Sequence, residues 1–146
     1  MRAFIPMIIA ICLFVASLAA AAAEEKAVPV KTADVSILEE KWGVKVLGLR
    51  QSANGYMLDF RYRVLDPEKA APLFDRKVKP LLIDQATGAK FAVPEPPKVG
   101  ALRNTRKPVA NKNYFVIFAN PAQYVKKGNK VTVVIGDFRV ENLVVE

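Results

Sequence analysis

Four aspartates, Asp59, Asp66, Asp75 and Asp84, are the residues of this sequence best placed by type to do acid–base chemistry. A carboxylate pair, or a serine with a lysine, is what remains open to a chain without histidine whose single cysteine, Cys12, lies in its apolar N-terminal run. Each aspartate also has a simpler local role. Asp66 stands before Pro67 as a helix N-cap, Asp84 opens a turn, and Asp59 suits a pairing with an arginine across a strand. No catalytic residue is assigned on this basis, and the expectation is a protein that is not an enzyme.

Metal chemistry is excluded on similar grounds. Past residue 23 the only soft or imidazole-type ligand is Met57, whereas copper and zinc carriers need His, Cys or several Met. The acidic residues are scattered, without the D-x-[DN]-x-[DN]-G loop of a calcium site, and neither a P-loop nor G-x-G-x-x-G occurs. The sequence therefore implies no cofactor.

Cations are the chemistry that remains. Arg76, Lys77 and Lys79 form one group, Arg103, Arg106, Lys107 and Lys112 a second, and Lys126, Lys127 and Lys130 a third around Gly128. The candidate contact surface is Arg103, Arg106, Lys107 and Lys112 with Lys126 and Lys127, the first three foremost because they ride on a proline-rich segment. Two such groups meeting at one end of a domain would attract an anionic partner; exposed loops are also where Lys and Arg ordinarily sit. A further run, Phe60-Arg61-Tyr62-Arg63, alternates rings with guanidinium groups. On a strand these alternate between faces, so Leu58, Phe60, Tyr62 and Val64, with Tyr56, share the inner face, and Asp59, Arg61 and Arg63 the outer one. A nucleic-acid platform needs rings and cations on one accessible face, so a nucleic-acid partner is not expected.

The elements that position these groups follow an N-terminal segment with the layout of a secretory signal. Arg2 precedes a long apolar run that closes on Ala21-Ala22-Ala23, and cleavage is expected near Ala23. An uncleaved anchor is the competing reading, since the run is long enough to cross a bilayer. Both readings place residues 24–146 outside the cytoplasm, in the periplasm or beyond. That stretch carries 21 basic and 14 acidic residues, net +7, which favours anionic surfaces and solubility alike. Having no disulfide, it must be held by its core, and it is long enough to bury one.

Residues 24–41 read as a flexible or partly helical lead-in, with one or two turns or an extended run over Thr32 to Lys41. From Trp42 onward the pattern is that of strands, with turns at Ser52-Ala53-Asn54-Gly55, at Asp84 to Gly88 and at Gly136-Asp137. Asp66-Pro67 opens a short helical turn. Asn113 to Ala119, apolar at alternate and intervening positions, reads as a central strand buried on both sides. Trp42, Phe115 and Phe118 are assigned to the core, and Tyr124 to a corner where its hydroxyl meets a backbone group. Residues 94–112, with Pro94, Pro96, Pro97 and Pro108, form a long segment without period, the kind of loop that is usually functional or mobile.

The sum is a single all-β domain of about seven strands over residues 42–146, a β-sandwich with a small barrel as the alternative. The pattern from Trp42 to Val145 resembles the immunoglobulin-like β-sandwich proteins that bacteria export as small accessory or adhesion modules, although the Cys…Trp…Cys arrangement of immunoglobulin domains is absent. The resemblance implies a non-enzymatic module contacting another envelope or secreted protein, or an envelope component, through basic loops. The alternatives are a small anion or acidic glycan bound in a pocket under the 94–112 loop, contact with an anionic membrane surface, and, last, a carboxylate-dependent enzyme.

Overall fold

The computed structural model describes residues 32–146; the expected leader over residues 1–23 and the tether up to residue 31 lie outside the described residues. The first element, α1, is an eleven-residue helix, Thr32–Trp42, longer than the one or two turns expected. Leu38 is its buried residue, while Ile37 faces outward. The helix stops at Gly43, where φ is +60° and the N–H donates to the Glu39 carbonyl at 3.0 Å. Glycine adopts this left-handed C-cap without steric penalty. The position is also spatially closed, since a Cβ there would lie 2.6 Å from that of Asp66.

Seven strands follow: β1 Val44–Ser52, β2 Met57–Val64, β3 Leu81–Asp84, β4 Lys90–Ala92, β5 Asn113–Ala119, β6 Lys130–Ile135 and β7 Phe138–Val144. They form two antiparallel sheets, one ordered β1-β2-β5 and the other β4-β3-β6-β7. The all-β expectation therefore holds, with α1 and the short α2, Pro67–Ala70, as the α-helices of the described residues. At α2 the Asp66 carboxylate accepts from the Glu68 and Lys69 N–H groups, with Pro67 in the first turn, the capping arrangement expected from the Asp-Pro pair.

The inner faces of both sheets share one core. Leu58, Phe60, Tyr62 and Val64 of β2 are each at most 1% exposed, as the alternation requires. Tyr56 departs from that row because it precedes the strand, and it is exposed. Phe118 and Val116 of β5 and Val131, Val133, Phe138 and Val140 of the second sheet complete the layer; burying each large side chain stabilises the fold by about 1.5–3 kcal/mol. Trp42 closes one side, edge-on to Phe138 with centroids 5.8 Å apart.

The hairpins differ in width. Gly136-Asp137 is the two-residue connection expected, with Ile135 paired to Phe138 and Gly136 at φ +62°. The Asn-Gly turn is wider, because β1 and β2 separate at the Ser52–Met57 pair and Ala53, Asn54 and Gly55 all have positive φ.

The expectation for Asn113–Ala119 is also corrected. β5 is not covered on both sides: it lies at the edge of a three-stranded sheet, and its outward side chains run from exposed Phe115 to half-buried Ile117. The central strand is β2, and Phe115 is not a core residue.

Two short seams join the sheets at their edges. On one side Glu146 N–H donates to Leu49 C=O and Gln51 N–H to Glu146 C=O, a parallel bridge beside β1. On the other, Ile117 N–H donates to Leu102 C=O and Leu102 N–H to Pro94 C=O. The 94–112 segment is thereby fastened to β5 by backbone bonds.

Candidate functional site

The register sets what the outer face of the first sheet displays. Lys45, Arg63 and Asn113 stand in one row, Arg61 and Phe115 in the next, and Arg50, Asp59 and Ile117 in the third. Between Val46 and Gly48 the β1–β2 register slips by one residue. Leu47 is the extra residue of that bulge and lies opposite Arg61, on the outer side and exposed. Within β2 rings and guanidinium groups do part, as alternation demands. Across the sheet they meet again, since β5 supplies Phe115 and β1 supplies Leu47 on either side of Arg61.

Asp59 organises this face. Its side chain is 5% exposed, and its Oδ2 accepts from Arg61 Nε at 2.9 Å and from Arg50 Nη2 at 3.5 Å. Both arginine side chains stay about half exposed, so their remaining donors face solvent. A buried carboxylate that fixes two guanidinium groups removes part of the rotamer entropy a ligand would otherwise have to freeze. Arg63 is fixed similarly, its Nε donating to Asn113 Oδ1 at 2.8 Å. In these rows Asp59 is the one acid, against the four cations Lys45, Arg50, Arg61 and Arg63.

The loop cations do not assemble into one patch. Arg106, Lys107 and Lys112 lie at the end where β5 begins, tied there by Asn111 N–H to Val64 C=O and Val64 N–H to Lys112 C=O. Lys126 and Lys127 lie at the opposite end, about 20 Å along β5, where they line a shallow polar cleft of about 340 Å³ with Gln51, Asn54 and Gln123. That end is held by Asn120, fully buried, whose side chain donates to the Gly55 and Val125 carbonyls and accepts from Val125 N–H.

Arg103, foremost among the loop residues by sequence, is turned inward. Its guanidinium donates to the carbonyls of Leu73, Asp75 and Val78. Burial lowers its pKa from the ordinary arginine value, against the opposing influence of Tyr62, Asp75 and Glu95. Burial also pushes the neighbouring Tyr62 phenol well above the ordinary tyrosine range. Under the same loop lies a cleft of about 300 Å³ with Lys79, Glu95 and Arg103 in its wall. There Lys79 pairs with Glu95, so both cations of that cleft are already engaged.

The aspartates singled out for chemistry each have a local partner, while Oδ1 of Asp59 and Oδ1 of Asp84 are buried without one. Asp75 accepts from Lys77 N–H and Asp84 from the Thr87 hydroxyl, while Asp66 caps and Asp59 binds arginine. Among the described residues no three His, Cys, Asp or Glu side chains gather as a metal site would require. Tyr124 packs its ring on Phe91; the tyrosine hydroxyl that meets the backbone belongs to Tyr114, which accepts from Val109 N–H at 2.9 Å.

Compared with known proteins, the chain matches no family model, no curated protein and no solved structure.

Proposed function

We propose that this chain is an exported, non-enzymatic binding module of the cell envelope. It contacts an anionic envelope component through the outer face of the β1-β2-β5 sheet, with the loop cations at its two ends as rims. The observation that carries the reading is the set of rows Lys45-Arg63, Arg61-Phe115 and Arg50-Asp59, in which four cations surround one buried acid. Strands place these groups at fixed spacings on one face, whereas the loop cations are divided between its two ends.

An immunoglobulin-like core is the reading of the fold that the strand order supports. The constant-type arrangement puts strands 1-2-5-4 in one sheet and 3-6-7 in the other. Here every neighbour is kept except that β4 lies beside β3 instead of β5. Architecture of this kind hosts many functions, so the assignment rests on the face.

Retention on immobilised heparin, a sulfated polyanion, tests the reading. Lys45→Glu/Arg63→Glu is expected to elute at clearly lower salt than the parent, because paired charges are screened as ionic strength rises. Lys126→Glu/Lys127→Glu should shift elution less. Co-elution of the first variant with the parent would refute the assignment of this face.

A further inference from the structure

We infer that the anionic component is a lipid bilayer, and that Leu47 and Phe115 enter it while the surrounding cations hold the headgroups. The inference rests on the proposed use of the β1-β2-β5 face and adds the identity of the partner.

Charge alone would serve a soluble polyanion equally well. What points to a membrane is the row that contains Arg61. Leu47 is 44% and Phe115 46% exposed, one on each neighbouring strand. With strands about 4.8 Å apart, the two side chains stand roughly 10 Å from one another across the sheet. They project from the same side as Lys45, Arg50, Arg61 and Arg63. Apolar side chains flanked by basic ones are the composition of an interfacial membrane contact, in which buried apolar area and attraction to anionic lipid add. Each cation near an anionic leaflet strengthens binding about fivefold.

The bulge at Leu47 supports this. Regular alternation would bring one β1 residue opposite Arg61; the register slip brings two, Leu47 and Gly48, and the second has no side chain to crowd the first. A leucine is thereby displayed on a strand whose apolar residues Val44 and Leu49 are buried. The one acid within these rows, Asp59, is sequestered under Arg50 and Arg61; the exposed Glu146 carboxylate stands at the β1 edge, 4.0 Å from where a Cβ on Gly48 would lie. Among the described residues no helix is long and apolar enough to cross a membrane; the contact inferred here is made by a sheet.

The test uses the protein recovered after export, mixed with vesicles of phosphatidylcholine alone or of phosphatidylcholine with phosphatidylglycerol. The parent should co-sediment with the mixed vesicles and only weakly with the neutral ones. Leu47→Ser/Phe115→Ser, at positions already exposed, should bind mixed vesicles at least about tenfold more weakly yet elute from heparin with the parent. If that variant binds the mixed vesicles as the parent does, while Lys45→Glu/Arg63→Glu weakens binding to heparin and vesicles alike, the bilayer inference is overturned and the face remains a polyanion site. If the charge variant changes neither, the proposed function falls with it.

Should the N-terminal segment stay attached and hold every variant on the vesicles, insertion is read directly. An environment-sensitive fluorophore on Phe115→Cys, in a Cys12→Ser background, should shift to the blue with phosphatidylglycerol vesicles. The same fluorophore at Val99→Cys, exposed on the 94–112 loop, should not. Equal spectra at position 115 with and without vesicles overturn the inference.

Discussion

At the scale of single residues, Arg103 shows how a cation can leave the surface without leaving the loop. Its fork of donors spans the carbonyls of Leu73, Asp75 and Val78, closing the irregular stretch between α2 and β3 against the 94–112 segment. Arg103→Ala should lower stability to urea by about 1–3 kcal/mol, since part-buried carbonyls lose their donor. Arg103→Lys should recover little of it, because an ammonium on a flexible stem cannot reproduce the planar fork. The amides of residues 75–79 should exchange faster in both variants. Nothing in Leu102-Arg103-Asn104 marks this inward turn, which depends on where Leu102 meets Ile117, a pairing between residues far apart in the chain. Phe115 escaped for a related reason. NYFVIFA has the composition of a strand covered on both sides, but cover is a property of the sheet around it. Asp59 was legible, because an aspartate flanked by arginines two and nine residues away invites the pairing that forms.

Elements were easier to read than faces. All seven strands, the Asp66-Pro67 cap and the Gly136-Asp137 hairpin follow from local rules that leave their mark in a few adjacent residues. The length of α1 was not legible, since its sequence is equally compatible with an extended run and its end is decided by Gly43 docking on Asp66. Gly43 is the joint of four elements. Its carbonyl accepts from the Leu65 and Asp66 N–H groups at 2.7 and 3.0 Å, so the end of α1, the start of β1, the exit of β2 and the cap of α2 meet at one residue. Gly43→Ala should cost more than about 2 kcal/mol, from the left-handed backbone together with the clash of its Cβ on Asp66. A denaturation midpoint unchanged by this substitution would show that the joint yields.

For the molecule as a whole, the two seams bear on whether the sheets behave as one body. The amide hydrogens of Gln51, Ile117 and Glu146, each bonded across a seam, should exchange as slowly as those in the middle of β2 if the edges open only on global unfolding. Exchange in the dead time of the measurement would show that the sheets part locally. Sequence could not choose between a sandwich and a small barrel because these few bonds involve Pro94, Leu102 and Glu146, residues with no strand pattern of their own. Their placement also lends the protein a direction of mechanical strength. Glu146 runs parallel to β1, and the chain reaches β1 from α1 at the far end of that strand. Tension between α1 and Glu146 therefore slides one segment along the other, loading the bonds at Leu49 and Gln51 together instead of peeling them one after another. A module anchored at one point and gripping a surface at another would carry its load along that axis.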